Sequence, residues 1–357
     1  MSEDRYIRQT TLKDFGAEGQ QKLKSAKVLV IGAGGLGVPV MTYLNAMGIG
    51  TLGIVDADIV SISNLHRQVL YTEKMVGLPK VVAAKNQLEA QNHETEINTY
   101  QTFLTVSNAL EIISSYDVVV DATDNFPTRY LINDACVILS KPFVYGALHG
   151  FEGQVSVFNY NGGPTYRCLF PEMPNADAVP DCNENGVLGI LPGIVGNLQA
   201  LETIKIMTGI GDVLSGVIMM FDGLTQRFQR MKLNTIPKNK EIKTLQSSYD
   251  FDCETPIKSI ESKDFQNLIL NGKMELIDVR TSKEYEANHL EESKHIPLGE
   301  LEERVSEINI EESVYVICQS GIRSKKAVLR LKEIFPGKEF INVAGGMNHI
   351  NTYAHTN

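Results

Sequence analysis

The feature that most constrains this chain is a glycine-rich turn set between apolar segments. Lys27–Ile31 (KVLVI) is a short apolar run, the pattern of a strand buried on both faces. Gly32-Ala33-Gly34-Gly35-Leu36-Gly37 follows at once, and Val38–Met47 is an apolar stretch of helical length. Gly50–Asp56 then reads as a second strand ending in a carboxylate. Strand, tight turn, helix and strand in that order make a βαβ unit with parallel strands. Glycines at such a turn let backbone N–H groups approach a phosphate at the helix N-terminus, and Asp56 stands where a ribose-binding carboxylate is expected. By itself the G-x-G-x-x-G pattern fits an NAD-dependent oxidoreductase or a turn with no ligand.

Further strands are expected at Asp117–Val120, Lys141–Tyr145, Gln154–Phe158, Val217–Phe221 and Thr225–Lys232, with helices across Pro127–Leu139 and Ile190–Met207. After Leu233 the texture turns polar, and the stretch to Pro256, with Pro237 and a Lys-rich piece, reads as a linker. A second α/β pattern begins near Ile257, with strands at Met274–Val279, Val314–Cys318 and Glu339–Val343 and helices over Leu298–Ile308 and Arg323–Phe335. The expected fold class is α/β: a Rossmann-like nucleotide-binding domain with a mixed sheet over residues 1–236, a linker at 237–256, and a smaller α/β domain over 257–357. Two domains also suit a length of 357 residues with 43% hydrophobic content, at about 100–200 residues per domain.

A net charge of −10 offers no basic face for nucleic acid. No stretch is long and apolar enough to span a bilayer, and the N-terminus lacks the basic and apolar regions of a signal peptide. The five cysteines are dispersed and odd in number, which points to a reducing cytoplasm rather than to a disulfide framework.

The residues around the glycine turn narrow the choice. Arg5-Tyr6-Ile7-Arg8-Gln9 opens the chain, and Ser63-Asn64-Leu65-His66-Arg67-Gln68 follows the Asp56 and Asp58 pair. Gly77-Leu78-Pro79-Lys80 and Asp121-Ala122-Thr123-Asp124-Asn125 come next. In this order the sequence resembles the MoeB/ThiF/HesA group of ubiquitin-activating-like adenylyltransferases over residues 1–236. The resemblance implies ATP bound on Gly32, Gly34, Gly35 and Gly37. It also implies Asp56 on the ribose, beside Asp58, with Ser63, Asn64, Arg67 and Lys80 around the phosphates. Asp124 would bind Mg²⁺, and Asn125 would line the nucleotide site. Arg8 resembles an arginine that crosses a homodimer to the partner's phosphates, a role for a planar donor fork that Lys does not reproduce. Adenylation places negative charge on phosphoryl oxygens as pyrophosphate leaves, so cations and metal must be in place beforehand. The nucleophile is a carboxylate already ionised at neutral pH, so no general base is required and Asp121 is expected to be structural.

The chain departs from the family in its cysteines. Many relatives hold a structural zinc with two Cys-x-x-Cys pairs. Here the first pair is reduced to Thr165-Tyr166-Arg167-Cys168, and Pro237–Ile242 carries no cysteine. One thiolate does not make a tetrahedral site, so no zinc is expected and Cys168 reads as a small buried residue. Cys182 precedes a Gly186-Val187 segment, as a catalytic or sulfur-relay cysteine does in relatives. An ordinary loop cysteine is an equal reading.

Cys318-Gln319-Ser320-Gly321-Ile322-Arg323-Ser324 follows an apolar strand and opens a helix. Such a turn aims backbone N–H groups at the sulfur, and the helix N-terminus favours the thiolate. This loop resembles that of a rhodanese sulfurtransferase, as do Leu276-Ile277-Asp278-Val279-Arg280, Glu284-Tyr285 with His289, His295-Ile296-Pro297-Leu298 and Gly345-Gly346-Met347. Phosphatase loops related to it are a residue longer, so the spacing of Cys318 and Arg323 fits sulfur. Asp278 and Arg280 are expected to brace the loop.

Together the two resemblances imply an enzyme that adenylates the C-terminal glycine of a ubiquitin-like sulfur carrier ending in Gly-Gly. A persulfide on Cys318 would then convert it to a thiocarboxylate, for molybdopterin, thiamine or tRNA-thiolation pathways. A cysteine desulfurase or thiosulfate would supply the sulfur. Two other readings stay open on the sequence: an NAD-dependent oxidoreductase, and a non-catalytic scaffold for the carrier and a desulfurase.

Overall fold

The computed structural model describes residues 2–174, 186–249, 257–269, 274–291, 293–311 and 313–354. Cys182 lies outside the described residues. Two compact units divide near residue 251, and each is described by itself.

The first unit is built on β1 (Lys27–Ile31), whose last four residues are buried. β2 (Thr51–Val55) and β4 (Val118–Asp121) flank it in parallel. With β3 (Glu96–Tyr100), β5 (Phe143–His149), β6 (Glu152–Phe158), β7 (Val217–Asp222) and β8 (Arg227–Lys232) they form a sheet in the order β3-β2-β1-β4-β5-β6-β7-β8. The strands from β3 to β5 pair in parallel; β6, β7 and β8 add antiparallel. The sheet is therefore mixed, and its parallel half carries the continuous apolar runs that burial on both faces demands. Each fully buried Val, Leu or Ile in those runs contributes about 1.5–3 kcal/mol. The order reverses at β1, with β2 on one side and β4 on the other, and ligands bind outside strand ends at such a switch point in open α/β sheets.

Helices pack on the sheet. In chain order they are α1 (Ser2–Thr10), α2 (Gly16–Ser25), α3 (Gly37–Ala46), α4 (Lys80–Gln91), α5 (Ala109–Ser114), α6 (Phe126–Ile138), α7 (Tyr166–Leu169) and α8 (Ile190–Thr208). α8 ends at Gly209, whose φ of +80° makes a left-handed cap. Among the described residues no helix is long and apolar enough to cross a membrane.

The polar stretch after Leu233 packs on the first unit as far as Tyr249, although its composition reads as a linker. Tyr249 is buried and donates to Asp134 of α6 at 2.7 Å. Pro237–Lys240 forms a 3₁₀ turn beside Cys168. That cysteine is half-buried rather than an inert core residue. Its Sγ accepts from the backbone N–H of Thr165 (3.4 Å) and Ile236 (3.3 Å) and from Asn239 Nδ2 (3.7 Å). Burial opposes the thiolate, but these donors and the Thr165 hydroxyl outweigh it and lower the thiol's pKa.

In the second unit a wholly parallel sheet runs β11-β10-β12-β13-β9. The strands are β9 (Lys258–Glu261), β10 (Glu275–Asp278), β11 (Ser293–His295), β12 (Val314–Ile317) and β13 (Phe340–Ala344). Its helices are α9 (Ser262–Ile269), α10 (Ser282–Ala287), α11 (Ile322–Ile334) and α12 (Gly346–Ala354). The helix expected over Leu298–Ile308 is instead two 3₁₀ turns, Leu298–Glu300 and Val305–Glu307. Gly299, a poor helix former, sits in the first turn. Lys294 takes the carbonyl of Glu307, while Leu301 and Ile308 are still buried.

Candidate active site

The turn after β1 works because of two glycines. Gly32 has φ +100°, and a Cβ there would lie 2.6 Å from the carbonyl oxygen of Ala122. A Cβ on Gly37 would lie 1.9 Å from the carbonyl oxygen of Gly32. Only glycine lets the turn fold this tightly against β4 and open α3. Gly34 and Gly35 sit between, the first near the Gln68 amide and the second against Pro192 and Arg67.

Asp56, just past β2, ties this turn to the next loop. Its carboxylate accepts the N–H of Ala33 and the N–H of Asp58, both at 2.7 Å. Burial raises its pKa, with Lys80 opposing. Lys80, the first residue of α4, is 5% exposed and donates to Asp58 at 2.9 Å. Burial alone works against the ammonium, but Asp56, Asp58 and Asp124 together carry its pKa above the ordinary value. Ser61–Gln68 is a compact turn in which Asn64 accepts from the N–H of Arg67 and of Gln68 at 3.0 Å. The Arg67 guanidinium reaches back to the carbonyl of Ser63 at 3.2 Å. Burial lowers its pKa while Asp124 supports its charge.

β4 ends in Asp121, which is fully buried and forms an ion pair with Arg129 of α6 at 3.5 Å. Thr123 donates to the same carboxylate through N–H and hydroxyl. Burial raises the Asp121 pKa, with Arg129 and Thr123 opposing, and these contacts tie the strand end to α6. The strand end then turns outward and leaves Asp124 exposed. Asn125 caps α6 by accepting from the N–H of Thr128 at 2.9 Å. Strand ends thus gather the glycines, Asp56, Asp58, Arg67, Lys80 and Asp124 at one switch point. Arg8 is elsewhere, exposed in the last turn of α1. The carboxylate of Asp124 lies in the field of Arg67 and Lys80, and a carboxylate oxygen is the kind of donor that would hold Mg²⁺.

Three residues had no role in the sequence reading. Gln68 is 2% exposed, and its Oε1 has no hydrogen-bond partner among the described residues. Tyr71 donates to the carbonyl of Ala33 at 2.9 Å, and Gln199 of α8 donates to the carbonyl of Asp121 at 2.7 Å. All three hold or line the turn. Gln68 and Tyr71 lie in or just after the motif run; Gln199 carries no sequence signal, since only packing brings α8 there.

The second unit has its own site. Cys318 follows β12 and is wholly buried at the floor of a loop that enters α11. The Gly321 N–H donates to its Sγ at 3.1 Å. Ser324 Oγ lies 3.4 Å from Sγ and 2.6 Å from Asn342 Oδ1. The chain 345–348 closes the far side, where the N–H of Met347 donates to the carbonyl of Cys318 at 2.9 Å. Arg280 is braced by Asp278 at 2.7 Å and donates to Gln319 Oε1 at 3.1 Å. Arg323 makes two hydrogen bonds to Glu284, at 2.8 and 2.7 Å. That pair and the capping Thr281 outweigh burial and hold Glu284 at about 2.

Family comparisons match both units. Residues 6–243 match the ThiF family and 261–352 the rhodanese-like domain. An Arabidopsis thaliana protein named adenylyltransferase and sulfurtransferase MOCS3 is 42% identical, over 92% of this chain and 79% of its own. A Thermus thermophilus sulfur carrier protein adenylyltransferase is 51% identical, over 66% of this chain and 89% of its own. Among solved structures, E. coli MccB superposes with a TM-score of 0.60 at 21% identity, over 69% of this chain and 73% of that one. This last likeness speaks for the fold. None of these relatives favours the nicotinamide or scaffold reading. The chain belongs to the ThiF family and carries a rhodanese-like domain after its ThiF domain.

Proposed function

We propose that the first unit uses ATP to adenylate the C-terminal glycine of a small ubiquitin-like sulfur carrier, and that the second unit delivers sulfur to it from Cys318. The observation that carries this reading is the pairing, in one chain, of a cation-lined glycine turn with a cysteine cradled by a helix-entry loop. The relatives named adenylyltransferase and sulfurtransferase support it.

The carrier carboxylate attacks the α-phosphate and pyrophosphate leaves. Arg67 and Lys80 neutralise the charge that grows on the phosphoryl oxygens, which fixed charges in a water-poor site do best. Asp56 holds the ribose end. Mg²⁺ on Asp124 would add Lewis-acid support to the phosphates. The terminal sulfur of a Cys318 persulfide then attacks the carrier carbonyl, AMP departs, and an acyl disulfide links carrier and enzyme. A thiol, from Cys182 or from outside, reduces that disulfide and frees the carrier thiocarboxylate. Arg8, near the exposed Ile7 of α1 and the exposed Leu12 just past it, would serve a partner protomer's phosphates in a homodimer. No structural zinc is part of this reading, since Thr165, Ile236 and Asn239 surround Cys168 where further thiolates would be needed.

The test supplies the chain with Mg-ATP, a carrier ending in Gly-Gly and a sulfur donor, then weighs the intact carrier. The expected product has one oxygen replaced by sulfur, and is absent with Cys318→Ala. Failure to form AMP or pyrophosphate with several carriers would overturn the adenylation half.

A further inference from the structure

Two arginines stand by the Cys318 loop, Arg280 after β10 and Arg323 within the loop, and each is already matched by a carboxylate. Arg280 is buried against Asp278, with further bonds to the carbonyl of Asn288 and to Gln319. Arg323, the last residue of the loop before Ser324, is largely buried and gripped by both oxygens of Glu284. Glu284 is fixed in turn. It is the third residue of α10, and it closes a capping box with Thr281, accepting from the Thr281 N–H at 3.0 Å and hydroxyl at 2.7 Å. A bidentate arginine–carboxylate pair is among the stronger side-chain interactions. The two arginine charges that a small anion would seek near Cys318 are thus each matched by a carboxylate.

We propose that Glu284 sets which sulfur donor Cys318 accepts: by neutralising Arg323 it disfavours small dianions such as thiosulfate and reserves the loop for a donor persulfide. The proposal rests on reading Cys318 as the persulfide carrier. In the favoured step the Cys318 thiolate attacks the outer sulfur of R–S–SH. The donor S–S bond breaks, a new S–S bond forms on Sγ, and R–S⁻ leaves to take up a proton, with no net oxidation. With thiosulfate the same attack expels sulfite, but the dianion meets an Arg323 whose charge Glu284 already matches.

The experiment uses the full chain with cyanide as sulfur acceptor and two donors of like chemistry and different charge, thiosulfate (a dianion) and methanethiosulfonate (a monoanion). Glu284→Gln keeps the capping box, which glutamine also makes, and removes the charge. The expected result is a fall of at least ~10-fold in KM for thiosulfate with kcat little changed. KM for methanethiosulfonate should fall about 3-fold, because a single charge gains half the energy. An unchanged thiosulfate KM, or an equal change for both donors, overturns the proposal, and so does a loss of kcat with both. Should Glu284→Gln fail to fold, the salt dependence of the native chain decides. A neutralised loop gives a thiosulfate KM that stays flat or falls with ionic strength, and a KM that climbs overturns the proposal. If the native chain moves sulfur to cyanide from neither donor nor from a desulfurase-generated persulfide, the Cys318 reading itself fails.

Discussion

Lys80 shows how much a single position can be asked to do. It is nearly enclosed, yet three carboxylates keep it charged. Replacing it with methionine should leave Asp58 without its partner and the phosphates without a fixed cation. We expect adenylation, followed as pyrophosphate release, to fall by about 10²–10³. At the second site Glu284 offers a pH test. Its folded pKa of about 2 lies below the ordinary 4.5. Its contribution to stability is therefore full above pH 4.5 and is lost as pH falls from there toward 2. Denaturant unfolding of the second unit should show a steeper acid loss in the native chain than in Glu284→Gln. Residues of this kind divide sharply in how legible they are. Asp56, Arg67, Lys80 and Cys318 stand out because motif spacing marks them. Gln199 and the partnership of Glu284 with Arg323 do not, since long sequence separations are closed only by tertiary packing.

At the level of elements, the β1–turn–α3 unit is the most rigidly specified. Gly37→Ala would press a methyl group onto the Gly32 carbonyl; the expected outcome is lost ATP binding by calorimetry, with the fold at least partly weakened. Behind it, Arg129→Met strands the buried Asp121 carboxylate. Breaking a buried pair from one side costs about 3–5 kcal/mol, to be read from urea denaturation of the first unit. The segments around Cys168 carry a different lesson. Thr165–Cys168 and Ile236–Asn239 are pinned by hydrogen bonds to one sulfur, so chelators should leave the thermal midpoint unchanged while Cys168→Ala lowers stability by about 1–2 kcal/mol. Strands of both sheets are readable from their apolar runs. The failed helix at Leu298–Ile308 shows the limit: 3₁₀ turns and α-helices bury nearly the same positions, and periodicity alone does not separate them.

For the molecule as a whole, the two units carry separate chemistry on separate sheets, each at the strand-end turn where a helix begins. An exposed Arg8 beside exposed apolar residues leads us to expect a dimer in sedimentation, with Arg8→Ala dimeric but slow in adenylation. Bare Cys318 has no exposed surface, whereas a sulfur added to it extends the side chain by about 2 Å. The unloaded enzyme keeps its nucleophile sheathed, and the cargo atom itself becomes the tip that meets an acyl electrophile. A slim donor sulfur reaches a thiolate at that depth more readily than an acyl carbonyl with its substituents does, so loading comes before acyl transfer: the order of events is written into the depth of one side chain.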